Sequence, residues 1–103
     1  MTAPRPPASL EEVLAVLRAR RDEVRERLKV DFRGVAGSLA RGQARPDSDV
    51  DVVADLLEGA SLFTVARAEL ELEAEVRRPV QILGRRAMGP RFRSEIERDL
   101  QPL

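Results

Sequence analysis

The sequence contains no cysteine, histidine, tyrosine or tryptophan, and these absences narrow the chemistry open to its 103 residues. Without cysteine and histidine there is no disulfide, no thiolate nucleophile, no zinc site of the Cys/His kind and no imidazole acid–base catalyst. An active site would have to consist of carboxylates, hydroxyls, arginine and backbone N–H groups, which suit Mg²⁺ and phosphate better than soft metals. The three phenylalanines are too few for a broad base-stacking platform.

The charge balance gives no support for general binding to nucleic acid or to an anionic membrane. Eighteen basic and eighteen acidic residues cancel to a formal net charge of zero, whereas such partners require an excess of Lys and Arg. The longest stretch without charged residues, 59–66, is far shorter than the roughly 20 apolar residues of a membrane-spanning helix. The first eight residues lack the apolar run of a signal peptide, and with the absence of cysteine this predicts a cytoplasmic protein.

The length and the apolar content predict one domain over residues 9–103, preceded by a flexible, proline-rich segment over residues 1–8. Periodicity and turn signals predict a helix over 10–28, a strand over 30–36, a short turn or helix near 39–42, a strand over 49–56, a helix from about 62 to 76, a strand over 80–83 and a last helix around 92–100. We therefore predict a small α/β (α+β) fold with a β-sheet flanked by helices. Strand order and direction do not follow from the sequence.

The first candidate binding group follows the first predicted strand. Gly37 and Ser38 come directly after it, and the next four residues, ending in Arg41 and Gly42, can form a single helical turn with Ser38 as its cap. Glycine lets a backbone approach a ligand closely, and N–H groups at a helix start suit phosphate. Alone, this pattern more often marks an ordinary turn.

A pair of aspartates begins the second predicted strand. Asp49 and Asp51 are two residues apart, so they share one face of the strand and lie roughly 6.6 Å apart along it. Two acids so close repel each other, and divalent cations that bridge a triphosphate would relieve the repulsion. A bare D-x-D by itself favours the alternative, an exposed pair of acids in a turn.

Together, the two segments resemble the signature of the minimal nucleotidyltransferases, the smallest members of the DNA polymerase β-like superfamily. That signature, G-S-x-A-R-G followed after a variable stretch by S-D-x-D, is matched at every fixed position between residues 37 and 51. The resemblance extends along nearly the whole chain, including residues 59–63 and the Arg-Pro-Val segment at 78–80. It implies the nucleotidyltransferase fold, a mixed β-sheet flanked by helices.

The resemblance also implies an activity and a partner. Gly37 and Ser38 would bind the β- and γ-phosphates of a nucleoside triphosphate such as ATP, and Arg41 would shape the loop or contact phosphate oxygens. Asp49 and Asp51 would be the catalytic acids and would hold two Mg²⁺ ions. An acceptor hydroxyl would attack the α-phosphate and release pyrophosphate. Members of this family are typically antitoxins paired with a helical HEPN-domain toxin, and some transfer AMP to a tyrosine of that toxin.

One position departs from the family pattern. A third carboxylate normally follows Arg-Pro-Val, and here that position is Gln81. A glutamine amide offers an oxygen to a metal but carries no charge and cannot take up a proton. Asp55 and Glu75 are the candidate substitutes, although Asp55 lies about 13 Å along the strand from Asp51.

Two functions therefore stay open. One is a Mg²⁺-dependent transferase that modifies a hydroxyl of a partner protein or RNA. The other is a catalytically impaired binding module that neutralises a partner toxin by complex formation, with or without bound nucleotide. A third and blander interpretation is an α/β domain whose acids have no chemical role.

Overall fold

Helices and strands alternate along the chain in the computed structural model, which describes residues 5–103. Their order is α1 (Leu10–Leu28), β1 (Val30–Ala36), α2 (Gly37–Ala40), β2 (Val50–Leu56), α3 (Leu62–Val76), β3 (Val80–Gly84), a 3₁₀ turn (Arg85–Ala87), α4 (Pro90–Asp99) and β4 (Gln101–Pro102). The predicted α/β class is confirmed. The 3₁₀ turn and the two-residue β4 were not predicted, and β2 begins one residue later than expected, at Val50.

The four strands form one mixed sheet in the order β3-β2-β1-β4. Strand β2 lies antiparallel to β1 and parallel to β3, and β4 extends the sheet antiparallel to β1. The register places Asp51 between Ala36 on one neighbouring strand and Gln81 on the other. The carboxyl end of β1 therefore meets the amino ends of β2 and β3 at one edge region of the sheet.

The two faces of the sheet differ in their covering. Residues such as Phe32, Val35 and Val52 are fully buried on the face that packs against α1 and α3, where the hydrophobic core lies. A register shift between Phe32 and Gly34 changes the alternation along β1. The other face carries Asp51, Val53 and Asp55, and α4 crosses it without burying any residue of its own completely. We call the first the core face and the second the open face.

Helix caps fix the ends of the two long helices. The Ser9 side chain accepts a hydrogen bond from the Glu12 N–H at 3.2 Å, and Ser61 forms a reciprocal capping box with Thr64 at the start of α3. Ser9 and Ser61 are therefore the N-cap residues of α1 and α3. No helix within residues 5–103 combines the length and the apolar character needed to cross a membrane.

The predicted flexible segment falls partly on residues 1–4, which lie outside the described residues. Within the described part, Ala8 is buried, and its N–H donates to the Val76 carbonyl at 2.9 Å. The chain thus packs against the end of α3 just before α1 begins. The division into residues 1–8 and 9–103 stays a prediction.

Carboxylates of α3 occupy the outer edge of β3. Glu73 accepts a hydrogen bond from the Val80 N–H at 2.9 Å, and Glu69 accepts one from the Ile82 N–H at 2.8 Å. Because Val80 and Ile82 are two residues apart, their N–H groups point the same way, away from β2. The two glutamates, one helical turn apart, therefore supply the partners that a further strand would otherwise provide.

Candidate functional site

A pocket of about 700 Å³ lies between α4 and the open face of the sheet. This volume is in the range of ordinary small-molecule sites. Five of the six predicted site residues line it, and Asp49, at its margin just before β2, does not. The complete lining consists of Gly37, Ser38, Arg41, Asp51, Gln81, Leu83, Phe92, Glu95, Ile96, Arg98 and Asp99.

Gly37 and Asp51 lie close together in the pocket. Gly37 has a φ of +75°, a conformation that side-chain-bearing residues rarely adopt. A Cβ at this position would lie 3.2 Å from the Cγ of Asp51 and would overlap its carboxylate oxygen. Glycine is therefore required here twice, for its backbone conformation and for the space that Asp51 occupies.

The charges of the two aspartates interact. Partial burial, and next to it the negative charge of Asp49, raise the pKa of Asp51, while the positive charge of Arg41 opposes the shift. The two carboxylates are thus close enough to interact, with Asp49 exposed in the loop before β2 and Asp51 half-buried in the strand. Because β2 begins at Val50, the shared strand face expected for both acids stays a prediction.

Gln81 stands beside Asp51 in the parallel ladder and faces the same pocket. Two carboxylates and one amide oxygen form a set of hard donors that suits Mg²⁺. Within residues 5–103 there is no group of three or more Asp, Glu, His or Cys side chains that could hold a metal. The donor set therefore fits a divalent ion, but with one negative charge fewer than a three-acid site.

The Gly-Ser segment differs from the predicted turn in its cap. Helix α2 begins at Gly37, Ala36 is its N-cap residue, and no side chain caps it. The prediction that Ser38 caps a turn over 39–42 was therefore wrong. The helix already begins at Gly37, so Ser38 lies inside its first turn. Ser38 faces the pocket instead, and Gly42, with a φ of +73°, lies just after the helix as expected.

Arg41 reaches from the end of α2 toward α4. Its Nη1 lies 3.6 Å from the Asp99 carboxylate, and its Nε donates to Gln43 at 3.3 Å. Both Arg41 and Asp99 line the pocket. The guanidinium is therefore held beside the site by a long, partly exposed ion pair, which is weak enough to be exchanged for a stronger anion.

Helix α4 is the part of the site that the sequence did not reveal. Its apolar spacing at Phe92, Ile96 and Leu100 predicted an amphipathic helix, and Phe92 and Ile96 prove to line the pocket together with Glu95. No local signal identifies this role, because it depends on which sheet face α4 crosses. That choice follows from strand order, which the sequence leaves open.

The two acids considered as substitutes for the third carboxylate lie elsewhere. Asp55 receives two hydrogen bonds of 2.7 Å from Arg85, and this contact lowers its pKa. Glu75 pairs with Arg20 on the far side of the molecule, between α1 and α3. Neither lines the pocket, so neither takes the place of the third carboxylate; the acids that line it besides Asp51 are Glu95 and Asp99 of α4.

Comparison with known proteins places this arrangement in a family. Residues 17–103 match the nucleotidyltransferase domain, and the chain belongs to that family. Within it, the chain fits the minimal nucleotidyltransferases, as its motifs predicted. A solved structure described as a candidate minimal nucleotidyltransferase is 40% identical, with a TM-score of 0.69 over 87% of this chain and 95% of that one.

Two relatives and one further structure complete the comparison. Protein adenylyltransferase MntA of Thermococcus cleftensis is 46% identical over 66 residues, which are 64% of this chain and 67% of that protein. A Methanocaldococcus jannaschii protein described as a candidate protein adenylyltransferase is 29% identical over 89% of this chain and 95% of its own length. A toxin–antitoxin structure with AMP-PNP has a TM-score of 0.66 over 89% of this chain and 69% of that one; at 13% identity it shows the fold alone.

Proposed function

We propose that this chain binds a nucleoside triphosphate with Mg²⁺ and transfers the nucleoside monophosphate to a hydroxyl group of a partner protein. The observation that carries the proposal is the position of Asp51, whose carboxylate lies against Gly37 and beside Gln81 in one pocket. Membership of the nucleotidyltransferase family and similarity to a protein adenylyltransferase support it. ATP is accordingly the proposed donor.

Gly37, Ser38 and Arg41 are the proposed phosphate-binding residues. Gly37 presents no side chain, so a phosphate can approach its backbone, and the N–H groups of a first helical turn have no partners within the helix. The Ser38 hydroxyl faces the same space. Arg41 adds a planar fork of donors and the positive charge that a triphosphate attracts. In this proposal, Arg41 exchanges its ion pair with Asp99 for phosphate oxygens.

Asp49 and Asp51 are the proposed Mg²⁺ ligands, with Gln81 contributing a neutral oxygen. When bound, the metal neutralises phosphate charge and lowers the pKa of an attacking hydroxyl, so no histidine is required. Support comes from Asp51, which lines the pocket, and from Asp49, which is exposed to solvent two residues before it. Their mutual repulsion is the electrostatic feature that a cation relieves.

The alternative is a binding module with impaired catalysis, and Gln81 is the observation that favours it. By the usual roles in the family, the third acid serves the metal that activates the acceptor. An amide in its place reduces the negative charge of the site and accepts no proton. The chain would then still bind nucleotide but no longer transfer it, and it would restrain its partner by forming a complex.

The proposed partner is a HEPN-type toxin, with this chain as its antitoxin. The support is the motif resemblance, since proteins that share the G-S-x-A-R-G and S-D-x-D signature are typically paired in this way. The cytoplasmic location stays a prediction from the sequence. Either function, transfer or restraint by complex formation, is compatible with such a pair.

The test is incubation of the full chain with Mg²⁺ and each α-³²P-labelled nucleoside triphosphate, alone, with RNA and with the protein that co-purifies with it. The variants are the double change Asp49→Asn/Asp51→Asn and the single change Gln81→Asp. Asp55→Asn is the matched control, because Asp55 lies on the same face of the same strand but outside the pocket.

Each interpretation predicts its own pattern of labelling. Label on the partner protein that disappears in the double variant and persists in Asp55→Asn supports the transferase. Labelling by Gln81→Asp alone supports the binding module. Label on RNA would replace the protein acceptor. An absence of Mg²⁺-dependent triphosphate binding at millimolar concentrations would overturn the transferase and leave only a binding module that acts without nucleotide.

A further inference from the structure

The guanidinium of Arg78 lies at the junction of three segments. Its Nη1 donates to the carbonyl oxygens of Arg45 at 2.7 Å and Ser48 at 3.1 Å, with that of Pro46 at 3.4 Å. Its Nε donates to the carbonyl of Ala8 at 2.8 Å. One side chain at the entrance to β3 thus holds the N-terminal segment and the loop between α2 and β2.

The start of that loop has its own anchors, since the Gln43 N–H donates to the Ser38 carbonyl at 2.9 Å and Ala44 packs against the hydrophobic core. Most of residues 41–49 are exposed, and the turn within it has two hydrogen bonds, from the Ser48 N–H to the Arg45 carbonyl at 3.0 Å and from the Arg45 N–H to the Ser48 hydroxyl at 2.8 Å. These bonds shape the turn but do not attach it to the sheet. Charge-assisted bonds from a guanidinium to several carbonyls are stronger than neutral ones and do attach it.

The backbone on both sides of Asp49 is held by residues 78 and 79. Before Asp49, the Ser48 carbonyl accepts from Arg78; after it, the Val50 N–H donates to the Pro79 carbonyl at 2.8 Å. Asp49 itself precedes the first residue of β2. Its direction is therefore set less by the β-ladder than by these two contacts.

We propose that Arg78 is a positioning residue that fixes Asp49 for Mg²⁺ binding, an inference that rests on the proposed function. Arg78 does not line the pocket and acts through the Ser48–Asp49 peptide group. Asp51 needs no such support, because it lies within the strand and against Gly37. Loss of Arg78 thus weakens Mg²⁺ binding by Asp49 and leaves phosphate binding by Gly37 and Ser38 in place.

The test compares Arg78→Ala and Arg78→Lys with Arg77→Asn. Arg77 is the matched control because it also ties the N-terminal segment, by donating to the Pro6 carbonyl at 2.6 Å, but no contact joins it to residues 45–48. Asparagine suits its left-handed φ of 57°. The readouts are the Mg²⁺ midpoint for ATP binding, ATP binding in EDTA, and amide hydrogen exchange across residues 43–50.

We expect Arg78→Ala to raise the Mg²⁺ midpoint by about tenfold or more, as loss of an outer-shell partner does. ATP binding in EDTA should be unchanged, and exchange across residues 43–50 should accelerate. Arg78→Lys should have an intermediate Mg²⁺ midpoint and intermediate exchange rates, since an ammonium offers a point charge without the fork. If circular dichroism shows that Arg78→Ala is unfolded, Arg78→Lys replaces it as the test variant. Arg77→Asn should match the unmodified chain in all three readouts.

The outcomes separate the inference from the function on which it rests. If the unmodified chain binds ATP in a Mg²⁺-dependent way and both Arg78 variants keep its midpoint and its exchange rates, the positioning role is wrong and the proposed function stands. If the unmodified chain shows no Mg²⁺ dependence, the proposed function fails and the positioning role fails with it. An equal effect of Arg77→Asn would reduce Arg78 to a general structural contact.

Discussion

Asp51 and Asp55 lie on the same face of the same strand, four residues apart, yet their environments are opposite. Asp55 receives two hydrogen bonds from Arg85, with Arg33 3.7 Å away, and its pKa is lowered. Asp51 accepts no hydrogen bond from an arginine within residues 5–103, and burial and the nearby Asp49 raise its pKa. One carboxylate is compensated by arginine, whereas the other is the acid that we propose binds Mg²⁺.

The same distinction holds among other acids of the chain. Glu69 and Glu73 accept backbone hydrogen bonds at the edge of β3, and Glu71 pairs with arginines of α1 and α3. These groups stabilise the fold. An acid that is partly buried without such a partner costs stability and is more typical of a functional site, so the comparison supports the proposed role of Asp51.

The largest expected effect comes from removing the negative charge of Asp51, with the same change at Asp55 as its counterpart. Asp51→Asn should weaken Mg²⁺-dependent ATP binding more than about 100-fold, beyond the cost of losing an outer-shell partner, because it removes the carboxylate that faces Gly37. Asp55→Asn should leave that binding unchanged. Isothermal titration in Mg²⁺ and in EDTA measures both, and equal losses in the two variants would abolish the distinction.

Much of this site was predictable from local pattern, and what was not has a physical reason. Local patterns singled out Asp49, Asp51 and Gly37, whereas the contact of Gly37 with Asp51 depends on the pairing of β1 with β2. The role of α4 and the anchoring of the loop by Arg78 depend on sheet order and on contacts between residues 30 or more positions apart. Ser38 was assigned to the wrong cap position because helix boundaries shift by a residue when glycine starts the turn.

The next largest effect is on stability and concerns Glu69 and Glu73, whose carboxylates accept hydrogen bonds from backbone N–H groups of β3. Glu69→Ala or Glu73→Ala should each lower the free energy of unfolding by about 1–3 kcal/mol, since each leaves a strand N–H group without its partner. The double variant should also associate, because it exposes the outer edge of β3 to another strand. Urea unfolding measures the first effect and size-exclusion chromatography the second.

Glu26→Ala is the control for these variants, because Glu26 is an exposed helical glutamate of α1 that does not touch the edge of β3. It should change stability little. A double variant that stays monomeric and unfolds at the same urea concentration as Glu26→Ala would show that the two edge contacts contribute nothing in solution.

A pH effect follows from Glu71. Hydrogen bonds from Arg27 first, and from Arg67 and Arg20, lower its pKa from 4.5 to about 2. Because the folded-state pKa lies below the unfolded one, this carboxylate stabilises the fold fully above about pH 4.5, and the contribution is lost as pH falls towards 2. Urea unfolding between pH 6 and pH 2.5 should show that the free energy of unfolding falls with pH, and that it falls less in Glu71→Gln. The same pH dependence in both proteins would contradict this role of Glu71.

The smallest effect tests whether a pair of adjacent carboxylates is sufficient for a site. Arg85→Ala removes both hydrogen bonds from Asp55 and should cost about 1 kcal/mol, as expected for a partly exposed ion pair. It leaves Asp55 beside Asp31, its cross-strand neighbour, with Arg33 near both carboxylates. We expect no additional Mg²⁺-dependent ATP binding, because Arg33 still compensates the charge of this pair and no Gly-Ser turn faces it. A second binding event in the titration would show that adjacent carboxylates suffice without such a turn, and the close approach of Gly37 to Asp51 would then lose its special role.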